Sequence, residues 1–300
     1  MKKQSNFLAY IFLLLTVTFW AGNFVVGKFA SMYEVPPFSL NFYRWFFAWL
    51  ILAPFTIPEI IKKKEYIISN YKLFIVLGVT SITIFNSIVY YSLNFTQVIS
   101  GVLMISTIPV MIMFFSSILK IEKTNIFQVI GVILSFLGVI IIITKANFEI
   151  LKNLNFNKGD ITMVFAMLSW ALYSTLLKKQ KYEISQLSLL QVVMSFGLIF
   201  LIPIYFIEYQ LGFRITLEKP FFLILSYVVL LPGLASFILW IKGISIIGAN
   251  RSGVFLHLMP IMSAIMAMII FNEKFMFYHM LGACFIITGI LLSNKKALNA

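Results

Sequence analysis

The sequence predicts an all-α polytopic membrane protein, with ten transmembrane helices arranged as two inverted five-helix repeats. Three observations carry that expectation: too few charges to cover a water-facing surface, ten apolar runs of membrane-spanning length, and self-similarity at an offset of about 150 residues.

Of the 300 residues, 61% are hydrophobic and only 11% charged, with a mean hydropathy of +0.99. A soluble domain carries about a quarter charged residues, so most of this surface must face hydrocarbon. The net charge of +13 comes from Lys and Arg in short stretches between apolar runs. No continuous basic face tracks a phosphate backbone, which argues against a nucleic-acid partner. The single cysteine, Cys284, lies within an apolar run, so no intrachain disulfide can form. Met1-Lys2-Lys3 before an apolar stretch resembles a signal peptide, but no small-residue cleavage site follows and more apolar runs do. It reads as an uncleaved first helix.

A helix needs about 17 to 25 apolar residues to cross roughly 30 Å of hydrocarbon. Runs of that kind cover Phe7–Gly27, Phe38–Pro58, Leu73–Leu93, Gln97–Leu119 and Ile126–Thr144, then Ile161–Leu177, Leu187–Ile207, Pro220–Ile241, Ala249–Phe271 and Phe275–Ser293. They must be helices, because lipid offers the backbone no hydrogen bonds and the runs are too long and too evenly apolar for barrel strands. With the N-terminus inside, alternate connections hold fifteen Lys and Arg on the inner side and seven on the outer, Arg44 excluded. The positive-inside rule then puts both termini in the cytoplasm. The polar stretch around 147–160 reads as a linker, leaving a first repeat at 1–146 and a second at 161–296.

The repeat is visible residue by residue. At an offset of 151, Pro109 falls on Pro260, Glu122 on Glu273, Lys123 on Lys274, Gly131 on Gly282, Gly138 on Gly289 and Lys145 on Lys296. At an offset of 150, Trp20-Ala21 meets Trp170-Ala171 and Lys28 meets Lys178. Chance explains Ile on Ile but not Pro, Glu-Lys and two Gly at one register. Five spans is an odd number, so the second copy must sit upside down relative to the first, an arrangement that serves alternating access in secondary transporters. Pro109 and Pro260 are expected inside spans four and nine, kinking each helix and freeing the carbonyls of Ile105 and Leu256. The glycine pairs, seven residues apart, put small residues on one face for close helix packing.

These residues resemble the EamA family of the drug/metabolite transporter superfamily. The motif stands as SGVLMISTIPVMIMFFSSILKIEKTNIFQVIGVILSFLG and again as SGVFLHLMPIMSAIMAMIIFNEKFMFYHMLGACFIITG. The tryptophan near the end of each half's first helix and the Arg within NFYRW also fit. The chain departs at Ile121-Glu122 and Asn272-Glu273, where Gly-Glu is usual. The resemblance implies ten helices from two fused repeats, no cofactor, and export of amino acids or other small metabolites. Twenty lysines against three arginines, with plentiful Ile, Asn and Phe, point to an AT-rich bacterial genome, so the expected location is a bacterial cytoplasmic membrane, with the protein a monomer or weak homodimer in the lipid bilayer.

Polar groups inside spans are costly and point to a site. Arg44 sits about 9 Å along span two, at 1.5 Å per residue, and shares a face with Asn41 and Trp45. Its planar fork suits a carboxylate or phosphate; snorkelling to the interface is the competing role. His257, beside the expected free carbonyl of Leu256, suits substrate binding or proton carriage, or a bond to a neighbouring helix. Trp20 and Asn23 in span one, Asn86 and Tyr90 in span three, Trp170, Tyr173 and Ser174 in span six, and Trp240 in span eight complete the candidate set. Each aromatic among them could equally belong to an interfacial belt.

No acidic residue occupies the middle of a span, which points to a zwitterionic or anionic cargo, an amino acid or organic acid, and away from permanent cations. No HExxH, no paired aspartates and no Ser/His or Ser/Lys constellation supports a catalytic or metal site, and no GxxxxGK[ST] supports ATP-driven pumping. The competing readings are an uptake permease or exchanger for a larger metabolite, and a membrane assembly protein.

Overall fold

The computed structural model describes residues 2–95, 98–147, 149–152, 158–179, 181–271, 274 and 276–295, and among them every regular element is helical. The helices are α1 (Lys2–Met32), α2 (Pro37–Lys62), α3 (Tyr71–Ser92), α4 (Val98–Ile105), α5 (Ile108–Ile118) and α6 (Ile126–Ile143). Then come α7 (Lys158–Leu176), α8 (Gln186–Gln210), α9 (Lys219–Ile247), α10 (Ala249–Gly253), α11 (Met259–Phe271) and α12 (Phe277–Ser293). Short helices Lys64–Ser69 and Glu149–Lys152 lie in the connections.

Among the described residues six helices are long and apolar enough to cross a membrane: most of α1, and α2, α3, α6, α8 and α9. The other four expected spans look different. Span six is the more polar α7, which opens with Lys158 and Asp160, and span ten is the 17-residue α12. Spans four and nine are broken. Gln97, Asn272, Glu273, Phe275, Lys296 and part of the expected linker lie outside the described residues.

Pro109 and Pro260 do not kink continuous helices as expected. The first helix of span four ends at Ile105, and α5 starts at Ile108 with Pro109 in its opening turn. In span nine a 3₁₀ turn, Val254–Leu258, separates α10 from α11, whose second residue is Pro260. A helix start is where proline fits, because its missing N–H has no partner there in any helix. The carbonyl of Leu256 is not free either, since it accepts from the Met259 N–H.

Two further irregularities stand 150 residues apart. Both α3 and α9 pass through a π-helical segment, Val79–Phe85 and Val229–Ala235. Such segments loosen the backbone ladder, and carbonyls here turn to side chains. Ser81 O, Ile82 O and Thr80 O accept from Asn86, Asn41 and Ser169, while Pro232 O accepts from Arg44 and Trp20.

Contacts between the two halves are reciprocal. Helix α2 runs antiparallel to α8, and at one end Glu208 accepts from the Ser39 N–H and Oγ, both at 2.6 Å, and from the Phe38 N–H at 3.1 Å. At the other end Glu59 accepts from Ser185 N at 2.8 Å, Ser185 Oγ at 2.5 Å and Ser188 Oγ at 2.6 Å. Glu59 and Glu208 are 149 positions apart, as are Ser39 and Ser188. Each carboxylate meets the unpaired N–H groups and positive dipole end of a helix start. Glu122 does likewise for α10, accepting from Ala249 N and Asn250 N at 3.2 and 2.9 Å. Gly248 makes that possible: its φ is +90°, and a Cβ there would collide with the Glu122 carboxylate.

Candidate functional site

Arg44 stands inside α2 and is 1% exposed. A buried guanidinium must find acceptors for its five N–H groups. Nη1 donates to Asn86 Oδ1 and to Tyr90 OH, both at 2.8 Å, and Nη2 donates to the Pro232 carbonyl at 2.9 Å. Those partners come from α3 and from the π segment of α9, so one cation ties three helices together. The partners are themselves held. Asn86 Nδ2 donates to Ser81 O at 2.6 Å, Tyr90 OH donates to Asn23 Oδ1 at 3.0 Å, and Trp20 Nε1 shares the Pro232 carbonyl at 3.1 Å.

All of these acceptors are neutral. Among the described residues the ion pairs are Lys63–Glu183 and Lys152–Glu149, both exposed, and no carboxylate reaches Arg44. Nε has no partner, and the three bonds leave a second donor, on Nη2, unused. Snorkelling to the interface is not the arrangement found.

Arg44 lines a cavity of about 30 Å³ together with Trp20, Asn23, Phe24, Phe85, Asn86, Val89, Ile105, Ile108, Trp170, Leu256 and Met259. That holds a water or two, so there is too little room for an organic solute beside the cation in this conformation. The aromatic wall is continuous: Trp20 meets Trp170 edge-on at 5.1 Å between centroids, and Phe85 lies 4.5 Å from Trp170. Behind it, Trp240 packs 5.3 Å from Trp20 and donates from Nε1 to Ser174 Oγ at 3.3 Å. Tyr173 lies 5.0 Å from Trp170.

Of the residues singled out from sequence, Trp20, Asn23, Arg44, Asn86 and Trp170 line the cavity, Tyr90 holds Arg44, and Tyr173, Ser174 and Trp240 back the wall. His257 stands apart. Its Nε2 bonds the Ser106 carbonyl at 2.8 Å and its Nδ1 faces Ser135 Oγ at 2.5 Å, so both ring nitrogens serve neighbouring helices. Sequence reasoning missed the Pro232 carbonyl and the apolar walls at Phe24, Phe85 and Ile105. A proline inside an apolar run was the available signal for the first; nothing in the sequence separates the others from ordinary lipid-facing or core residues.

The EamA-like transporter family model matches this chain twice, over residues 7–144 and 157–295. The chain belongs to the EamA-like transporter family. Relatives of this EamA-like protein include an uncharacterized transporter of Archaeoglobus fulgidus, 26% identical over 97% of this chain and 99% of its own. Another is the uncharacterized transporter YyaM of Bacillus subtilis, 24% identical over 95% and 93%. A crystal structure of a protein superposes with a TM-score of 0.72 at 14% identity, covering 97% of this chain and 96% of that one, which shows a shared fold. The EamA-like chain is thus a multi-pass membrane transporter, embedded in lipid and handling a small-molecule substrate.

Proposed function

We propose that this EamA-like protein is a secondary transporter that exports a small zwitterionic or anionic metabolite, an amino acid or organic acid, across the bacterial cytoplasmic membrane. Transport proceeds by alternating access of ten spans built as two inverted repeats, with both termini cytoplasmic. The observation that carries the reading is Arg44: a buried cation with unused donors and no carboxylate of its own, set in a small cavity lined by both halves. Burying an unpaired charge is costly, and a substrate carboxylate supplies the missing counterion. The reciprocal Glu59 and Glu208 contacts and the paired π segments support the inverted arrangement. At the 149-residue register of those contacts the counterpart of Arg44 is Val193, so only one half brings a cation.

The test is flux in proteoliposomes containing the purified protein, with amino acids, organic acids, nucleosides and quaternary cations competing against one measured solute. Arg44→Gln is expected to abolish flux, and Arg44→Lys to retain the charge but lose most of the forked binding. Circular dichroism and size-exclusion profiles confirm that the variants are folded. Robust transport of quaternary cations with no response to amino or organic acids overturns the reading.

A further inference from the structure

We propose that the Arg44 site prefers net-anionic substrates, monocarboxylates with an apolar or aromatic body, over zwitterions with the same carbon skeleton. This rests on the transport reading above and narrows its substrate class.

The charge balance of the cavity drives the inference. Two donors of the Arg44 guanidinium, Nε–H and one on Nη2, are unpaired, and a carboxylate accepts two such donors at once. Gly233 packs beside Nε: a Cβ there would stand 3.6 Å from Nε and would collide, at 2.7 Å, with the Val228 carbonyl oxygen. An α-ammonium, by contrast, finds no carboxylate to neutralise it, only ring faces and neutral oxygens. No residue lining the cavity is acidic. The neutral acceptors in reach already serve other donors: Asn86 Oδ1 takes one bond from Arg44, Asn23 Oδ1 one from Tyr90, and Pro232 O one each from Arg44 and Trp20. A zwitterion bound by its carboxylate would hold its ammonium next to a guanidinium, in a water-poor site where like charges repel more strongly than in bulk. The walls, Trp20, Phe24, Phe85, Trp170, Ile105 and Ile108, suit an apolar or flat body.

A surface groove elsewhere on the protein is electropositive as well. A groove of about 710 Å³ is lined by Lys178, Lys179, Lys181 and Gln186, and its wall includes Leu177 and Ile241. Ile241 directly follows Trp240 in the chain, and Leu177 lies one turn beyond Ser174, so the groove and the pair behind the cavity are built on the same two helical segments. Lysines around a concave surface raise the local concentration of anions.

The experiment compares isosteric pairs in proteoliposomes of the intact protein: 3-phenyllactate against phenylalanine, and 2-hydroxy-4-methylpentanoate against leucine. Each pair differs in replacing the α-ammonium by hydroxyl. Phenethylamine and isoamylamine test the ammonium alone. The hydroxy acids are expected to move, and to half-saturate flux at a concentration at least about tenfold lower than the amino acids; the amines are expected to neither move nor compete. Asn23→Asp keeps the acceptor for Tyr90 and installs a carboxylate beside the cavity, so it is expected to reverse the preference towards the amino acids. Equal or better transport of the amino acids by the unaltered protein overturns this proposal and leaves the transport reading standing. Absence of flux for every solute, in protein shown to be folded and inserted, removes both.

Discussion

His257 hydrogen-bonds the backbone carbonyl of Ser106 at 2.8 Å, and the two residues occupy the same place in the two halves, 151 positions apart. A carbonyl only accepts, so Nε2 carries the hydrogen; Nδ1 then takes the Ser135 hydroxyl at 2.5 Å. The ring therefore joins the breaks of spans four and nine and fastens both to α6.

That geometry leaves His257 out of the cavity lining and gives it a holding role instead. His257→Phe fills the volume but loses both bonds, costing about 1–3 kcal/mol, and is expected to lower the thermal unfolding temperature in detergent. Transport is expected to lose maximal rate while its half-saturation stays unchanged, because the ring does not line the cavity. Flux measured over a range of substrate concentrations checks this. A rise in half-saturation with the maximal rate intact would return His257 to the site.

Glu59 and Glu208 close opposite ends of the α2–α8 interface with charge-assisted bonds, each worth about 1.5–3 kcal/mol at the buried Glu208 and less at the more exposed, solvent-screened Glu59. If the ends open alternately, losing one carboxylate favours opening at that end. The cavity residue Val89 replaced by Cys, with the native Cys284 replaced by Ser, reports access to the centre. Glu208→Ala is expected to raise labelling by an impermeant thiol reagent from one side of the membrane, and Glu59→Ala from the other. About tenfold is the scale, since 1.4 kcal/mol is tenfold in a population. Increased labelling from the same side in both variants would contradict alternation between these ends.

Tyr90 relays Arg44 to Asn23, accepting from the guanidinium and donating to the amide. Tyr90→Phe removes only the hydroxyl, leaving Arg44 with a third unpaired donor and less firmly aimed. The expected result is a half-saturation concentration higher by about 5- to 30-fold, the effect of 1–2 kcal/mol. Concentration-dependent flux measures it, and an unchanged half-saturation would place Tyr90 outside the binding machinery.

What the sequence revealed of this protein follows from where its signals are local. A polar residue in an apolar run marks itself, so Arg44, Asn23, Asn86 and Tyr90 could be read in advance, and they converge. The helical character and the two matching segments were legible for the same reason. The prolines misled because residue type does not tell a mid-helix kink from a fresh helix start, and that depends on whether the preceding turn holds. The first π segment carries no marker, since Val79–Phe85 reads like any apolar stretch with hydroxyls; the second holds Pro232, a signal that went unused. The Glu59 and Glu208 contacts were illegible because each carboxylate's partners lie more than a hundred residues away, on a helix whose neighbours are set only by packing.

Helices α6 and α12 pack antiparallel at backbone contact, and four glycines make that approach possible. A Cβ on Gly131 would fall 2.5 Å from the Gly289 carbonyl and 2.6 Å from the Ser293 nitrogen, and one on Gly138 would fall 2.6 Å from the Gly282 carbonyl. Backbone atoms cannot swing aside, so the helices must part. Gly131→Ala is expected to cost about 1–3 kcal/mol, the range for overpacking, read as a lower unfolding temperature in detergent. Gly289→Ala is expected to cost a similar amount. Because both methyls enter the same crossing, the double variant is expected to lose less than the sum, the second methyl entering a gap the first has opened. Additive losses would mean that the two sites yield independently and that the helices are not in contact there. Ser135, four residues after Gly131 on α6, moves with the parted helix, so the bond to His257 loosens and the maximal transport rate is expected to fall with stability.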